Sequence, residues 1–412
     1  MNQTAPNTKE KSAKKRSFLL ALPVLAMAAL TTVSFLHAPA DASPVMTQAS
    51  ARKARVVAYV QDASDMPDLQ ALSGQVDQVN YAFAHIKDGQ ATLEHAQGLK
   101  DMSRFLRSNP HIDGVLSVGG WGADGFSQAC ATEEGRIALT ESILALVDQH
   151  GFVGVDIDWE YPGMSTSGIA ASAKDEENWY ALLTLLRQGL DARQSETGRD
   201  HLLSVALGAS AAHVEAADGA RLAEIVDQAV VMAYDLRGFD RLTGHHAGLY
   251  PDGKTELSAA WAVNAWAEDG IPEAKLLLGV PMYGRVWRQV SGGNGMNRHA
   301  ATSGNRVVTQ KDVAFLLENG ADRFWDEKAQ AAHLYDGENF VSYEDAESLH
   351  AKADWAVEKG LLGLAAWCVN QDEEGLMMAA MHEALLEDVA TETDLATPAD
   401  LATPSEMLES VG

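Results

Sequence analysis

Short apolar runs recur along the chain, and amphipathic stretches separate them. From Arg55 onward eight runs stand out: RVVAYV at Arg55, QVNYAFA at Gln78, GVLSVGG at Gly114, GVDIDWE at Gly154, LLSVALG at Leu202, QAVVMAY at Gln228, KLLLGVP at Lys275 and GLAAW at Gly363. They are rich in Val, Leu and Ala, as strands covered on both faces are. GRIALTESILALVDQH before the fourth run and DEENWYALLTLLRQGLDARQ after it carry apolar residues three and four apart. That spacing predicts helices with one buried stripe. Eight strand and helix units in 412 residues predict the α/β class, a (β/α)8 TIM barrel, over residues 52–387. A doubly wound sheet is the competing arrangement, but no Gly-rich dinucleotide turn follows the first strand.

The regular spacing breaks once. About eighty residues separate the seventh run from the eighth, far more than a crossover needs. This stretch has strand-like and helical pieces of its own, such as TQKDVAFLLENG and ENFVSYEDAESL. It predicts a small α+β subdomain inserted at 288–345. The last stretch, 388–412, is acidic, lacks aromatic residues and repeats DLATP, which predicts a disordered tail.

The start of the chain reads as a leader. A basic stretch from Lys9 to Arg16 precedes the apolar run SFLLALPVLAMAALTTVSFL, and Ala40-Asp41-Ala42 fits a small-x-small cleavage site. This order predicts a signal peptide at 1–42 and export to the periplasm or medium. An uncleaved membrane anchor is the alternative, since the run approaches spanning length. After cleavage no membrane contact is expected. The net charge of −27 repels phosphate backbones and argues against nucleic-acid binding. It suits a neutral or weakly cationic substrate. Only Cys130 and Cys368 occur, and their spacing does not decide whether they pair.

The fourth run carries the chemistry. In GFVGVDIDWEYPG, Asp156, Asp158 and Glu160 alternate with Val155, Ile157 and Trp159. Alternate residues of a strand face opposite ways, so the three acids share one face. In a barrel that face is the lumen, and Glu160 lies nearest the C-terminal mouth where such barrels do chemistry. Crowded carboxyls in a poorly solvated site resist ionising together, so one keeps its proton near neutral pH. A protonated acid there suits cleavage of a glycosidic bond. Structural acids or a divalent metal site are the blander readings, and burying three acids without a use is costly. Asp158 sits on the same strand and side as Glu160, so it is badly placed to attack the opposite face of a sugar ring. The nucleophile must come from elsewhere, and a 2-acetamido sugar carries one in its own carbonyl oxygen.

GVDIDWE, together with LSVGGW one strand earlier, resembles glycoside hydrolase family 18, the chitinases and their relatives. The likeness runs from about Arg55 to about Leu386 and includes VNYAFA, MAYD at Met232, GHHAGLY at Gly244, GVPMYGRVW at Gly279 and GLAAW. The inserted subdomain points to the chitinase A/B-like branch. The resemblance implies a substrate-assisted retaining mechanism without metal or cofactor. It makes Glu160 the general acid and then the base. Asp158 would orient the acetamido group and stabilise an oxazolinium intermediate. Asp156 would share a proton with Asp158, and Tyr234 would hydrogen-bond the acetamido carbonyl. Met232 and Asp235 would line that subsite over a Trp367 floor. Tyr283 and Arg285 would bind sugar hydroxyls and amides, while Tyr59, Phe83 and Trp121 would line the cleft. Cis peptides are implied at Glu160–Tyr161 and Trp367–Cys368.

One position departs from the family pattern, where a further acid usually stands three residues before Asp156. Here it is Val153, which implies altered support beneath the acids and a shifted pH optimum rather than loss of activity. Trp159 and Trp179 read as packing residues, and His245 and His246 as hydrogen-bonded loop structure rather than metal ligands. The expected partner is chitin or a chito-oligosaccharide, cut by a monomer. An endo-β-N-acetylglucosaminidase acting on glycans or peptidoglycan is the nearest rival. A non-catalytic chitin-binding lectin is the other, although Glu160, Asp158 and Tyr234 are all present.

Overall fold

The computed structural model describes residues 53–386. The predicted leader and acidic tail lie outside the described residues, as do the terminal barrel positions 52 and 387. The eight apolar runs form strands β1 (Arg55–Gln61), β2 (Gln78–Lys87), β3 (Asp113–Gly119), β4 (Gly154–Asp158), β5 (Leu202–Leu207), β6 (Gln228–Val231), β7 (Leu276–Pro281) and β8 (Gly363–Trp367). Each pairs in parallel with its sequence neighbour, and β8 pairs with β1, so the barrel closes as the spacing predicts.

The two helices flanking β4 run over Glu133–His150 and Asp175–Thr197. Thr132 starts the first by accepting from Gly135 N–H at 3.1 Å. Acids fill both first turns, Glu133 and Glu134 in one and Asp175 to Glu177 in the other, where the helix dipole favours them. No helix among the described residues is long and apolar enough to cross a membrane.

Strand alternation sorts the side chains. Val155, Ile157 and Trp159 pack in the large apolar layer between barrel and helices, where Trp159 stacks on Phe126 and Trp179 is also buried. The inward side holds a smaller cluster that includes Val57, Tyr59, Ala82, Val230 and Leu277. Beneath it lies a polar floor that the apolar pattern did not announce. Gln228 Nε2 donates to Gln78 Oε1 at 2.8 Å, and Gln78 Nε2 donates to Asn80 Oδ1 at 2.7 Å. All three are buried, and their mutual bonds remove most of the cost of placing amides there.

Between β7 and β8 the chain builds a second sheet. Its strands Gly284–Arg288, Arg306–Val308, Asp322–Asp326, Ala331–Tyr335 and Asn339–Tyr343 pair antiparallel, with the helix Gln310–Glu318 beside them. The sheet begins at Gly284 rather than 288, because only Met282 and Tyr283 separate it from β7. Tyr283 and Arg285 therefore stand at the junction, on the barrel mouth.

A buried ion pair ties the end of this sheet to the helix Ala346–Lys359, which leads back to β8. Lys352 Nζ meets Glu344 Oε1, and Ser348 Oγ donates to Glu344 Oε2 at 2.6 Å. Lys352→Met leaves a buried carboxylate without its counter-charge and is expected to cost about 3–5 kcal/mol of stability. Denaturant unfolding measures it. Adding Glu344→Gln to the same chain should restore much of the loss, and a single variant as stable as the parent would refute this account.

Candidate active site

The C-terminal ends of β2, β3, β4, β6, β7 and β8 converge on one cleft. β4 ends at Asp158, so Glu160 lies two residues beyond the strand, at the rim. The glycine pair in LSVGGW lets β3 close against it. Gly119 has φ 118°, and a Cβ there would sit 2.1 Å from the Asp158 carbonyl oxygen. A Cβ at Gly120 would sit 2.7 Å from the Phe83 ring, while Gly120 N–H donates to Asp158 O at 2.9 Å. The pair thus brings Phe83, Trp121 and the acidic strand together.

The three acids differ in surroundings. Asp156 is fully buried below the cleft, where its Oδ2 accepts from Tyr59 Oη at 3.0 Å and Ser117 Oγ at 2.6 Å. Burial still raises its carboxyl above the ordinary value, against those hydrogen bonds. Asp158 is raised well above its ordinary value, by burial first and then by the charges of Glu160 and Asp156. Oδ1 of Asp156 and Oδ1 of Asp158 are buried and accept no hydrogen bond among the described residues. Glu160 is pushed up to about 7, chiefly by burial, with a Tyr161 hydrogen bond opposing and the Asp235 charge adding to the rise. One proton can therefore stay on this row at neutral pH, as crowding on one strand face requires.

Asp235, at the end of the MAYD segment, is the counterpoise. Arg285 grips it with both ends of its fork, Nε to Oδ1 at 2.6 Å and Nη2 to Oδ2. His246 Nδ1 lies 3.5 Å from Oδ1. Burial opposes ionisation, but the hydrogen bonds and charges of His246 and Arg285 carry Asp235 well below the usual carboxylate range. A charged Asp235 and a protonated Glu160 are environments pushed apart, the mark of an acid poised for use.

Aromatic residues wall the cleft. Phe83 and Trp367 have centroids 5.5 Å apart, and Tyr59 meets Trp367 edge-on at 5.7 Å. Trp121 is 62% exposed at the rim. Tyr234 meets Tyr283 edge-on at 6.3 Å. Burial, then the Tyr283 and carboxylate charges, hold the Tyr234 phenol well above its ordinary value, so it remains a hydrogen-bond donor. Cis peptides occur at Glu160–Tyr161 and Trp367–Cys368, as the family resemblance implies, and also at Ala82–Phe83.

Ten of the twelve expected residues line one inner hollow: Tyr59, Phe83, Trp121, Asp158, Glu160, Met232, Tyr234, Asp235, Tyr283 and Trp367. Asp156 lies beneath it, and Arg285 lines the outer cleft. The fork of Arg285 is taken by Asp235, and its Nη1 donates to Asn305 O at 3.2 Å, so its donors are committed within the protein. Val153 is buried just before β4 and offers Asp156 no polar group. Cys130 and Cys368 are both buried and free. His245 bonds to Asp326 at 3.3 Å. Among the described residues no cluster of three or more His, Cys, Asp or Glu is arranged to hold a metal ion.

The outer cleft adds residues that sequence reasoning passed over: Tyr161, Ser210, His213, Leu257, Val307 and Phe239, the last 67% exposed. They arrive from loops after β4, β5 and β6 and from the inserted sheet, with no local pattern to mark them.

Comparison with known proteins agrees with this geometry. Residues 55–372 match the family described as Glycosyl hydrolases family 18. Chitinase A1 of Niallia circulans is 33% identical over 302 residues, which is 67% of this chain and 43% of that protein. The chain thus spans less than half the length of that relative. A glycoside hydrolase family 18 N-acetylglucosaminidase from Paenibacillus barengoltzii superposes with a TM-score of 0.75 at 34% identity, covering 81% of this chain and all of that one. A class V chitinase from Nicotiana tobaccum in complex with NAG4 gives 0.72 at 25% identity, covering 81% and 99%.

Proposed function

The chain belongs to glycosyl hydrolases family 18, and we propose that it is a chitinase that hydrolyses β-1,4-linked N-acetylglucosamine polymers and oligomers with retention of configuration. The carrying observation is Glu160, held protonated to about pH 7 beside the buried Asp158 in an aromatic-walled cleft. Sugar rings have apolar faces and polar rims, so this lining suits them.

Glu160 protonates the glycosidic oxygen as the C–O bond breaks. The carbonyl oxygen of the substrate's own acetamido group closes on the anomeric carbon, giving an oxazolinium ion. Asp158 orients the acetamido N–H and offsets the positive charge, with Asp156 beneath it as a proton-sharing partner. Tyr234 donates to the acetamido oxygen and holds it in line. Trp367 and Met232 shape the pocket around the ring. Glu160, now a carboxylate, takes a proton from water, which opens the ring ion from the face the leaving group vacated. The product keeps the β configuration, and Glu160 is protonated again.

The leader motif supports action outside the cytoplasm. Valine at 153 should move the pH optimum without abolishing activity. Similarity to an N-acetylglucosaminidase favours a second reading, removal of single terminal sugars. Hydrolysis of chitotetraose, with product anomers read early by NMR, tests both. Early β-anomer supports retention, and the ratio of dimers to single sugars separates the readings. Early α-anomer, or binding without cleavage, would overturn the proposal.

A further inference from the structure

The cleft wall beside Glu160 carries a histidine whose tautomer the fold sets. β5 ends at Leu207, and the imidazole of His213 lies back against Gly208, where a Cβ would sit 2.1 Å from Nδ1. Ser210 N–H donates to that Nδ1 at 3.2 Å, and Ser210 Oγ lies 3.0 Å from it. A backbone amide can only donate, so Nδ1 accepts and the neutral ring carries its proton on Nε2. The imidazole thereby fills the place that Glu or Gln takes in a capping box, at the head of the short helix Ala211–Glu215. Burial lowers the His213 pKa, which keeps the ring neutral. The ring packs on Tyr161, the residue after Glu160, with centroids 4.0 Å apart. Among the described residues no hydrogen bond reaches Nε2.

The two parts of the cleft assign the ring a side. Asp158, Tyr59 and Phe83 line the inner part and His213, Tyr161 and Ser210 the outer, while Glu160 and the shared wall around Tyr234, Tyr283 and Trp367 line both. The other side of the His213 ring borders a small hollow against Trp159, Trp179 and Trp266. The sugar whose acetamido group reacts must sit by Asp158. Glu160 protonates the bridging oxygen, so the outer part receives the departing sugar.

Resting on the glycosidase reading, we propose that His213 binds the leaving-group sugar, its Nε2–H donating to a hydroxyl, and so favours carbohydrate over other leaving groups. Nothing in its capping role requires a group at Nε2, and the glycine at 208 admits the whole ring.

Two substitutions separate the donor from the cap. His213→Asn places an amide oxygen where Nδ1 stands and nothing at Nε2. A side chain of that length can cap, as Asp312 does in accepting from Thr309 N–H at 3.1 Å. His213→Gln can put an N–H donor at the Nε2 position only by turning its amide oxygen away from Ser210 N–H, so it supplies the donor or the cap but not both. The readout is kcat/KM on chitotetraose and on an umbelliferyl chitobioside, whose leaving group has no sugar hydroxyls, with thermal unfolding of each variant alongside. The expected loss on chitotetraose is about tenfold for His213→Asn, the value of one hydrogen bond, and slight for His213→Gln. Both should match the parent on the umbelliferyl substrate. A fully active Asn variant with an impaired Gln variant would assign His213 to capping alone. Equal losses on both substrates would also overturn the proposal. A parent enzyme that cleaves neither substrate would instead sink the glycosidase reading.

Discussion

Glu160→Gln is expected to lower hydrolysis of chitotetraose by about 10²–10⁴-fold while leaving binding intact, the range a positioned general acid contributes. Glutamine keeps the shape and cannot give up a proton to the leaving oxygen. The parent enzyme should lose turnover as pH rises through about 7, where Glu160 ionises before it can act. The same raised value has a stability consequence of defined sign. Below the ordinary carboxyl value of 4.5, Glu160 is protonated both folded and unfolded and makes no difference. Between there and about 7 the unfolded chain ionises while the folded chain holds its proton. The folded state is then progressively disfavoured as pH rises. The variant lacks this penalty, so its melting temperature relative to the parent should climb from pH 4 to pH 8. A difference that stays flat across that window would show that Glu160 is not held protonated. Retained hydrolysis by the variant would remove it from the acid role.

Asp158→Asn should be nearly as damaging on oligomers, about 10²–10³-fold, as for loss of one preorganised electrostatic contact in a dry site. The amide cannot offset the positive charge of the oxazolinium ion, and its N–H₂ group points donors at the acetamido N–H. The two variants should part on an umbelliferyl chitobioside. That leaving group needs little protonation, so Glu160→Gln should recover part of its first step. Asp158→Asn should not, because ring closure still needs the charge. Pre-steady-state release of umbelliferone reads that step directly. Recovery of the Asp158 variant on the aryl substrate would mean that Asp158 assists proton delivery instead of the intermediate.

Much of the site was legible because strand geometry is local. Asp156 and Asp158 had to share a face whatever surrounded them, and Val155 and Ile157 had to face the helices, while Trp159 and Glu160 lie past the end of the strand and continue the alternation only as folded. Trp121 and Trp367 were legible because one lies two residues past the end of β3 and the other ends β8, both at the cleft mouth. Phe239 and His213 were not. Phe239 sits in a loop whose exposure no pattern encodes. His213 matters through contacts with Gly208, Ser210 and Tyr161, of which only the second is near enough in sequence to suggest a cap. Arg285 was legible as a site residue but not in its task. Its fork is committed to Asp235, fifty residues away in sequence, a pairing made only when the first inserted strand meets the segment after β6.

The sequence by itself determined a parallel sheet covered by helices on its outer face, because apolar runs at regular spacing can bury both faces only in that way, and closure of the barrel came with the pairing of β8 to β1. It determined too that Asp156 and Asp158 point together to one face of the strand. Tertiary structure alone decided how Glu160 is poised. Glu160 is held near 7 by burial and by the charge of Asp235, and Asp235 is held ionised by Arg285 and His246. Those partners lie on separate elements of the chain. Their effect depends on distance and on the exclusion of water, and neither exists until the barrel closes.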